Sequence, residues 1–351
     1  MLWMAPMAEV TDSAFRAMAF SGGADRCTTE MVSAAGLSRG SPGSLPLLER
    51  LPEERGATFA QLYGADPHQM EEAARRVAAL GRFQGLDLNA GCPAPKVLRC
   101  GGGAALLEDL PLLRRLVAAL VRGADGLPVS VKTRVGPDPA RPLAAELARI
   151  AEGEGAACLA LHGRYASARH SGPCDWPQVA AAAAAVRIPV FANGGIRSPE
   201  DALAALRASG AAGLMVGRGA VGCPFLFAEI RAALAGAPLP RPAPPPNETA
   251  PGASPPSAAT LARRVAPVAD VVAAVRSHLA LSLALKRRMK ANHPECDFEP
   301  ERAVALDFRR HVFTYFRNRP GASALRRRLN DLHSPADILA AVADCFPDAP
   351  R

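Results

Sequence analysis

Residues 88–96 read LNAGCPAPK, with Cys92 between Gly91 and Pro93, Asn89 three residues before it and Lys96 four after. A thiol with an ordinary pKa of about 8.5 stays mostly protonated at neutral pH, so it can act as a general acid toward a reacting carbon. The plainer reading of the same residue is a small apolar filler in a rigid turn. Seven other cysteines lie at 27, 100, 158, 174, 223, 296 and 345, and none forms a C-x-x-C pair with another. Their even spread predicts reduced, mostly buried and inert thiols, and neither a disulfide framework nor a metal site.

Other polar groups stand where apolar runs end. Lys132 lies in SVKTR and His162 in LALHGR. A lysine inside a β-like run either points into a cavity toward negative charge or snorkels to an edge. A lone histidine is most simply a satisfied core residue, but His162 is followed at once by Gly163 and Arg164. Gln61 and Asn89 close two more runs, and Pro6 and Met7 follow the first. Two glycine turns, Asn193-Gly194-Gly195 and Gly217-Arg218, can cradle a phosphate with backbone N–H groups, Arg218 adding a charged contact.

These residues need a scaffold that aims them at one place. Short β-like runs occur at 2–5, 26–30, 58–62, 85–89, 129–133, 158–162, 189–193 and 213–217. Helix-compatible stretches separate them, including 67–80, 112–122, 143–154, 199–209 and 225–234. Asp66 and Ser198 are N-cap residues, each followed by proline at the first helical position. Eight strand–helix units predict an α/β protein, a (β/α)8 TIM barrel whose chemistry sits at the C-terminal ends of the strands, with phosphate after strands 7 and 8. Little of the chain precedes strand 1 to plug the barrel floor.

The composition changes after Gly236. We divide the chain into a barrel domain at 1–235, a Pro/Ala-rich linker or insertion at 236–260 and a small helical domain at 261–351. The net charge of +8 is uneven: residues 261–351 hold 16 Lys/Arg against 10 Asp/Glu. That excess suits a polyanionic partner, or a solvated helix face. No apolar run reaches the roughly 18–20 residues of a membrane span, and no secretory leader is evident, so a cytoplasmic protein away from membranes is expected.

The segments APMAEVTDSAFR (5–16), TEMVSA (29–34), QLYG (61–64), LNAGCPAPKV (88–97), GGGAALL (101–107), VKTRVG (131–136), HGR (162–164), ANGGI (192–196) and GRGAVGCPFLF (217–227) resemble, in order, the bacterial tRNA-dihydrouridine synthases. The likeness resumes at 308–338. It implies an FMN barrel that takes electrons from NADPH and reduces specific uridines in tRNA to 5,6-dihydrouridine. By the same resemblance Ala5, Pro6, Met7, Gln61, Lys132, His162, Asn193, Gly194, Gly195, Gly217 and Arg218 hold the flavin. Cys92 matches the catalytic cysteine, giving a proton to uracil C5 while hydride from reduced FMN reaches C6, and Asn89 matches a residue on the substrate base. The target base must be flipped out at a cost of a few kcal/mol. Lys96, Arg99, Arg164, Arg169, Arg326, Arg327 and Arg328 are the candidates that would offset this on the tRNA backbone. The chain departs from the family at Glu9, Ala90, Tyr165 and His170. No obligate protein partner is expected.

Two other readings use the same residues. A flavin barrel acting on a free pyrimidine or dihydroorotate explains the cysteine but not the basic helical region. An RNA-binding module on a retired barrel explains the basic region but not an intact Cys92, Lys132 and His162.

Overall fold

The computed structural model describes residues 1–237 and 266–347. Eight strands close into a parallel barrel in sequence order. They are β1 (Leu2–Met4), β2 (Arg26–Ser33), β3 (Ala57–Tyr63), β4 (Gly85–Ala90), β5 (Val129–Arg134), β6 (Cys158–His162), β7 (Val190–Asn193) and β8 (Gly213–Val216). All eight coincide with the expected runs to within three residues. β1 pairs with β8, which removes both sheet edges.

Helix starts follow the capping chemistry. Asp66 accepts from the backbone of His68 and Gln69 ahead of the helix Pro67–Ala79. Ser198 accepts from Asp201 N ahead of Pro199–Ser209, the expected span. Four helices of the barrel region fall outside the stretches named from the sequence: Ser13–Ser21, Ala34–Ser38, Pro95–Arg99 and Trp176–Ala185. Ser13–Ser21 buries residues 13–19 all round and six of the ten residues of Trp176–Ala185 are alanine, so neither shows a clear amphipathic stripe.

Alternation along each strand sends every second residue inward. The lower layer of inward residues is apolar. Trp3, Phe59, Phe191 and Met215 form a buried cluster, with Trp3 edge-on to Phe59 at 5.3 Å and to Phe191 at 5.2 Å. The guanidinium of Arg26, at the start of β2, lies 4.3 Å from the centre of Phe59 and 4.7 Å from that of Trp3. The floor is therefore filled by strand side chains and capped by one cation. Two residues beyond Phe59, Ala160 and Phe191 the inward positions are the polar Gln61, His162 and Asn193.

The C-terminal part is helical, as expected: Val268–Asn292, Pro300–Phe316, Ala322–Arg328 and Pro335–Cys345. Ser334 opens the last of these with a full capping box to Asp337. The linker expected at 236–260 lies almost wholly outside the described residues. The helix Val268–Asn292 has the length and composition of a membrane span, against the expectation from uninterrupted runs. Its Val271, Val275, Leu279 and Leu285 are buried against Phe308, Val312 and the barrel's Met18 and Leu51, which makes it a core helix.

This helical region docks on the barrel through several contacts. The Phe15 ring lies 5.7 Å from that of His278 and 5.6 Å from that of His311. Glu49 accepts from Arg288, Asn292 and His293 at 3.1–3.2 Å. Gly222, at φ +71°, approaches Thr314 so closely that a Cβ there would fall 2.4 Å from its carbonyl carbon. The Arg16–Glu54 ion pair is buried at 2.8 Å, with Ser13 donating to the same carboxylate at 2.6 Å.

None of the eight cysteines forms a disulfide, but only Cys27, Cys158 and Cys223 are buried and Cys100 is exposed. Thiol burial is thus less general than the sequence suggests, because four of the others sit in loops or at the cavity.

Candidate active site

A cavity of about 770 Å³ opens at the C-terminal ends of the strands. Ala5, Pro6, Met7, Gln61, Asn89, Cys92, Lys132, His162, Arg164, Asn193, Gly194, Gly195, Gly217 and Arg218 all line it. Parallel register does this. Gln61 pairs with Asp87, Asn89 with Lys132, and Arg134 with His162, which pairs with Asn193.

Cys92 sits half-buried in the turn after β4. Asn89 Oδ1 accepts the N–H of Gly91 at 3.2 Å and of Cys92 at 3.0 Å, while Ala104 N donates to the Cys92 carbonyl at 3.0 Å. Arg134 clamps the turn from β5: its Nε donates to Gly91 O at 2.8 Å, and its Nη1 to the carbonyls of Tyr165 and Arg169 at 3.1 and 2.6 Å. One guanidinium thus joins the cysteine turn to the loop after β6.

Below the turn lies Asp87, fully buried and pushed up to about 6 by burial, despite hydrogen bonds from Ser130 Oγ at 2.5 Å and Gln61 Nε2 at 2.7 Å. Lys132 is held at about 8, first by burial and then by Arg134, with Asp87 and Cys92 acting the other way. Its ammonium has no hydrogen-bond partner among the described residues and faces the cavity. His162 is neutral, because burial and the cations around it push its pKa well below the ordinary histidine value. Its Nδ1 accepts the N–H of Arg164 at 3.1 Å, which leaves the ring proton on Nε2.

Asn193 Nδ2 donates to Met215 O at 2.7 Å and ties β7 to β8. Gly194 has φ +113°, and a Cβ there would lie 2.8 Å from Cys174 Sγ and 3.1 Å from the His162 ring. The N–H groups of Gly194 and Gly195 donate to no protein acceptor among the described residues. Arg164 anchors its Nε on Gly172 O at 2.7 Å, and its Nη1 is buried without a partner among the described residues. Unpaired amides, an orphaned guanidinium nitrogen and the exposed Arg218 together suit a phosphate. The lone ammonium of Lys132 and the Nε2–H of His162 suit an electron-rich or anionic ring edge. These donors fit a phosphorylated planar cofactor such as FMN.

The remaining expected residues lie outside the cavity. Lys96 and Arg99 are exposed on the short helix Pro95–Arg99 beside the cysteine turn. Arg169 is exposed, at φ +50°. Arg326 stacks on Phe313 at 5.2 Å, Arg327 is exposed, and Arg328 is paired with Asp344 at 2.8 Å. The cavity also holds Met31, Arg134, His170, Arg197 and Met215, and, from the helical region, Arg317 and Asn318. His170 is pushed down to about 4 by burial and then by Arg218, so it too is neutral.

A family model described as dihydrouridine synthase matches residues 3–250. A probable tRNA-dihydrouridine synthase of Mycobacterium tuberculosis is 37% identical over 336 residues, covering 93% of this chain and 77% of that protein. A probable tRNA-dihydrouridine synthase of Rhodobacter capsulatus is 42% identical over 233 residues, covering 66% and 71%. The tRNA-dihydrouridine synthase B of Xanthomonas campestris is 39% identical over 240 residues, covering 68% and 71%. With that extent of match laid over this cavity, the chain belongs to the dihydrouridine synthase family.

Proposed function

We propose that this chain reduces a uridine of tRNA to 5,6-dihydrouridine, with FMN as cofactor, NADPH as electron donor and Cys92 as proton donor. The observation that carries the reading is that Cys92, Lys132 and His162 share one cavity with Arg317 and Asn318 of the helical region. A free pyrimidine needs no such reach across from the helices; a base still attached to a folded RNA does. Residues 1–235 would form the catalytic domain and 261–351 the part that holds the RNA.

Gly194, Gly195, Gly217 and Arg218 would hold the cofactor phosphate, and Ala5, Pro6, Met7, Gln61, Lys132, His162 and Asn193 its ring and chain. Held there, FMN in its reduced form would supply the hydride chemistry needed at C6 of the uracil. The chain's own residues do the rest. Lys132 provides positive charge at the ring edge, in a site dry enough to strengthen it. His162, proton on Nε2, donates a neutral hydrogen bond. Cys92, fixed by Asn89 and Arg134, transfers the thiol proton to C5, so the new C–H bond forms as S–H breaks. Asn89 would be the base contact. Lys96, Arg99 and Arg169, outside the cavity, and Arg164, which lines it, would with Arg326, Arg327 and Arg328 offset the cost of base flipping by phosphate contacts.

The test is a single-turnover measurement in which the reduced holoenzyme is mixed with tRNA lacking dihydrouridine. Flavin reoxidation is expected with that tRNA and not with free uracil. Cys92→Ala should keep its flavin spectrum and tRNA affinity while slowing reoxidation by about 10²-fold or more. Full activity in that variant would reject the proton-donor role, and equal reoxidation by free uracil would favour a small-molecule reductase.

A further inference from the structure

Asp87 lies beneath the cavity and, among the described residues, hydrogen-bonds only Gln61 of the groups proposed to meet cofactor or base, though its charge also favours the ammonium of Lys132. A carboxylate inside a barrel is costly without a reason. Its surroundings give one. Asp87 Oδ2 accepts from Gln61 Nε2 at 2.7 Å, Gln61 Oε1 accepts from Asn89 Nδ2 at 3.0 Å, and Asn89 Oδ1 accepts the Gly91 and Cys92 amides. Ser130 Oγ occupies the other carboxylate oxygen at 2.5 Å.

Each side-chain amide has a donor end and an acceptor end, and can be turned either way. An ionised carboxylate only accepts. It therefore forces Gln61 to present its NH2 downward and its carbonyl upward, which forces Asn89 to present NH2 to Gln61 and its carbonyl to the cysteine turn. We infer that Asp87 is a positioning residue, and that its carboxylate, through the imposed sense of Gln61 and Asn89, holds the backbone of the Cys92 turn in place. The inference rests on the proposed role of Cys92 for its consequence in catalysis, but not for its structural content.

Two readouts test it on the full-length protein. The first is amide hydrogen exchange over residues 89–93. Asp87→Leu, similar in volume and unable to accept, should speed exchange of the Gly91 and Cys92 amides about tenfold or more. Asp87→Asn should not, because its carbonyl still accepts from Gln61 while its NH2 turns to Ser130. Unchanged exchange in Asp87→Leu overturns the inference, as does equal acceleration in both variants. Should Asp87→Leu fail to fold, Gln61→Met interrupts the same relay and is read by the same exchange.

The second readout is flavin reoxidation by tRNA in holoenzyme carrying Asp87→Leu, Cys92→Ala or both. Acting through the turn, Asp87→Leu slows the reaction in the parent and costs less than about twofold more in the Cys92→Ala background. The same fold-loss in both backgrounds marks a merely structural role and also overturns the inference. A fully active Cys92→Ala would remove the proton-donor reading alone, since the exchange result still judges Asp87.

Discussion

Lys132 gives the sharpest quantitative expectation, because the fold bears a cost there that only a ligand would recover. The ammonium is held at about 8 against 10.5 for a free lysine side chain. At about 1.4 kcal/mol per tenfold, keeping it charged at neutral pH costs the folded protein ~3 kcal/mol. Methionine keeps the aliphatic stem and removes the charge. The flavin-free Lys132→Met protein should therefore be more stable than the parent by about 2–3 kcal/mol at pH 7, a rise of ~5 °C in Tm for a chain of this size. The sign of the pH dependence follows. Between about 8 and 10.5 the unfolded parent binds more protons than the folded one, so the parent gains stability as pH rises while the variant does not. The gap should be widest below pH 8 and shrink by more than half near pH 9.5. Calorimetry of both proteins across pH 7–10, with FMN titrations alongside, checks this. FMN affinity should fall in the variant even as stability rises. A flavin-free Lys132→Met that melts below the parent at pH 7, or a gap that ignores pH, would refute the reasoning.

The buried Arg16–Glu54 pair makes a second prediction: Arg16→Met leaves a carboxylate without its main partner and should cost about 3–5 kcal/mol, read by urea unfolding. Because that pair holds Glu54 below its ordinary value of 4.5, its contribution is present above 4.5 and lost as pH falls below it. Gly222→Ala should strain the approach to Thr314 by about 1–3 kcal/mol and weaken tRNA binding more than flavin binding, as measured by filter binding beside flavin fluorescence. Arg317→Ala and Arg326→Ala should each lower the slope of log Kd for tRNA against log salt by about 1, while Arg328→Ala, whose guanidinium is paired with Asp344, should change it less.

The barrel was legible because its signals are local. Most strands are short apolar runs ended by glycine, proline or a polar residue, and Asp66 and Ser198 stand directly before proline at two helix starts. Lys132 and His162 stood out as polar residues in apolar runs. Asp87 carries the same signal within GLDLN, yet its meaning depends on Gln61 and Asn89, which only the register brings beside it. Arg134 looks like any strand-end arginine until three carbonyls from two loops converge on it. Arg317 and Asn318 reach the cavity from more than 200 residues beyond Cys92, and no spacing encodes that approach. Phe15 was unremarkable for a related reason: its helix is buried on every side, so no stripe marks the face that receives His278 and His311.

The aromatic layer capped by Arg26 has a kinetic corollary. With the far end shut, whatever delivers electrons and whatever receives them must share a single doorway. Under the proposed activity they would take turns, the spent dinucleotide departing before the polynucleotide settles. Initial-rate plots would then run parallel, and excess of either reactant would obstruct the other.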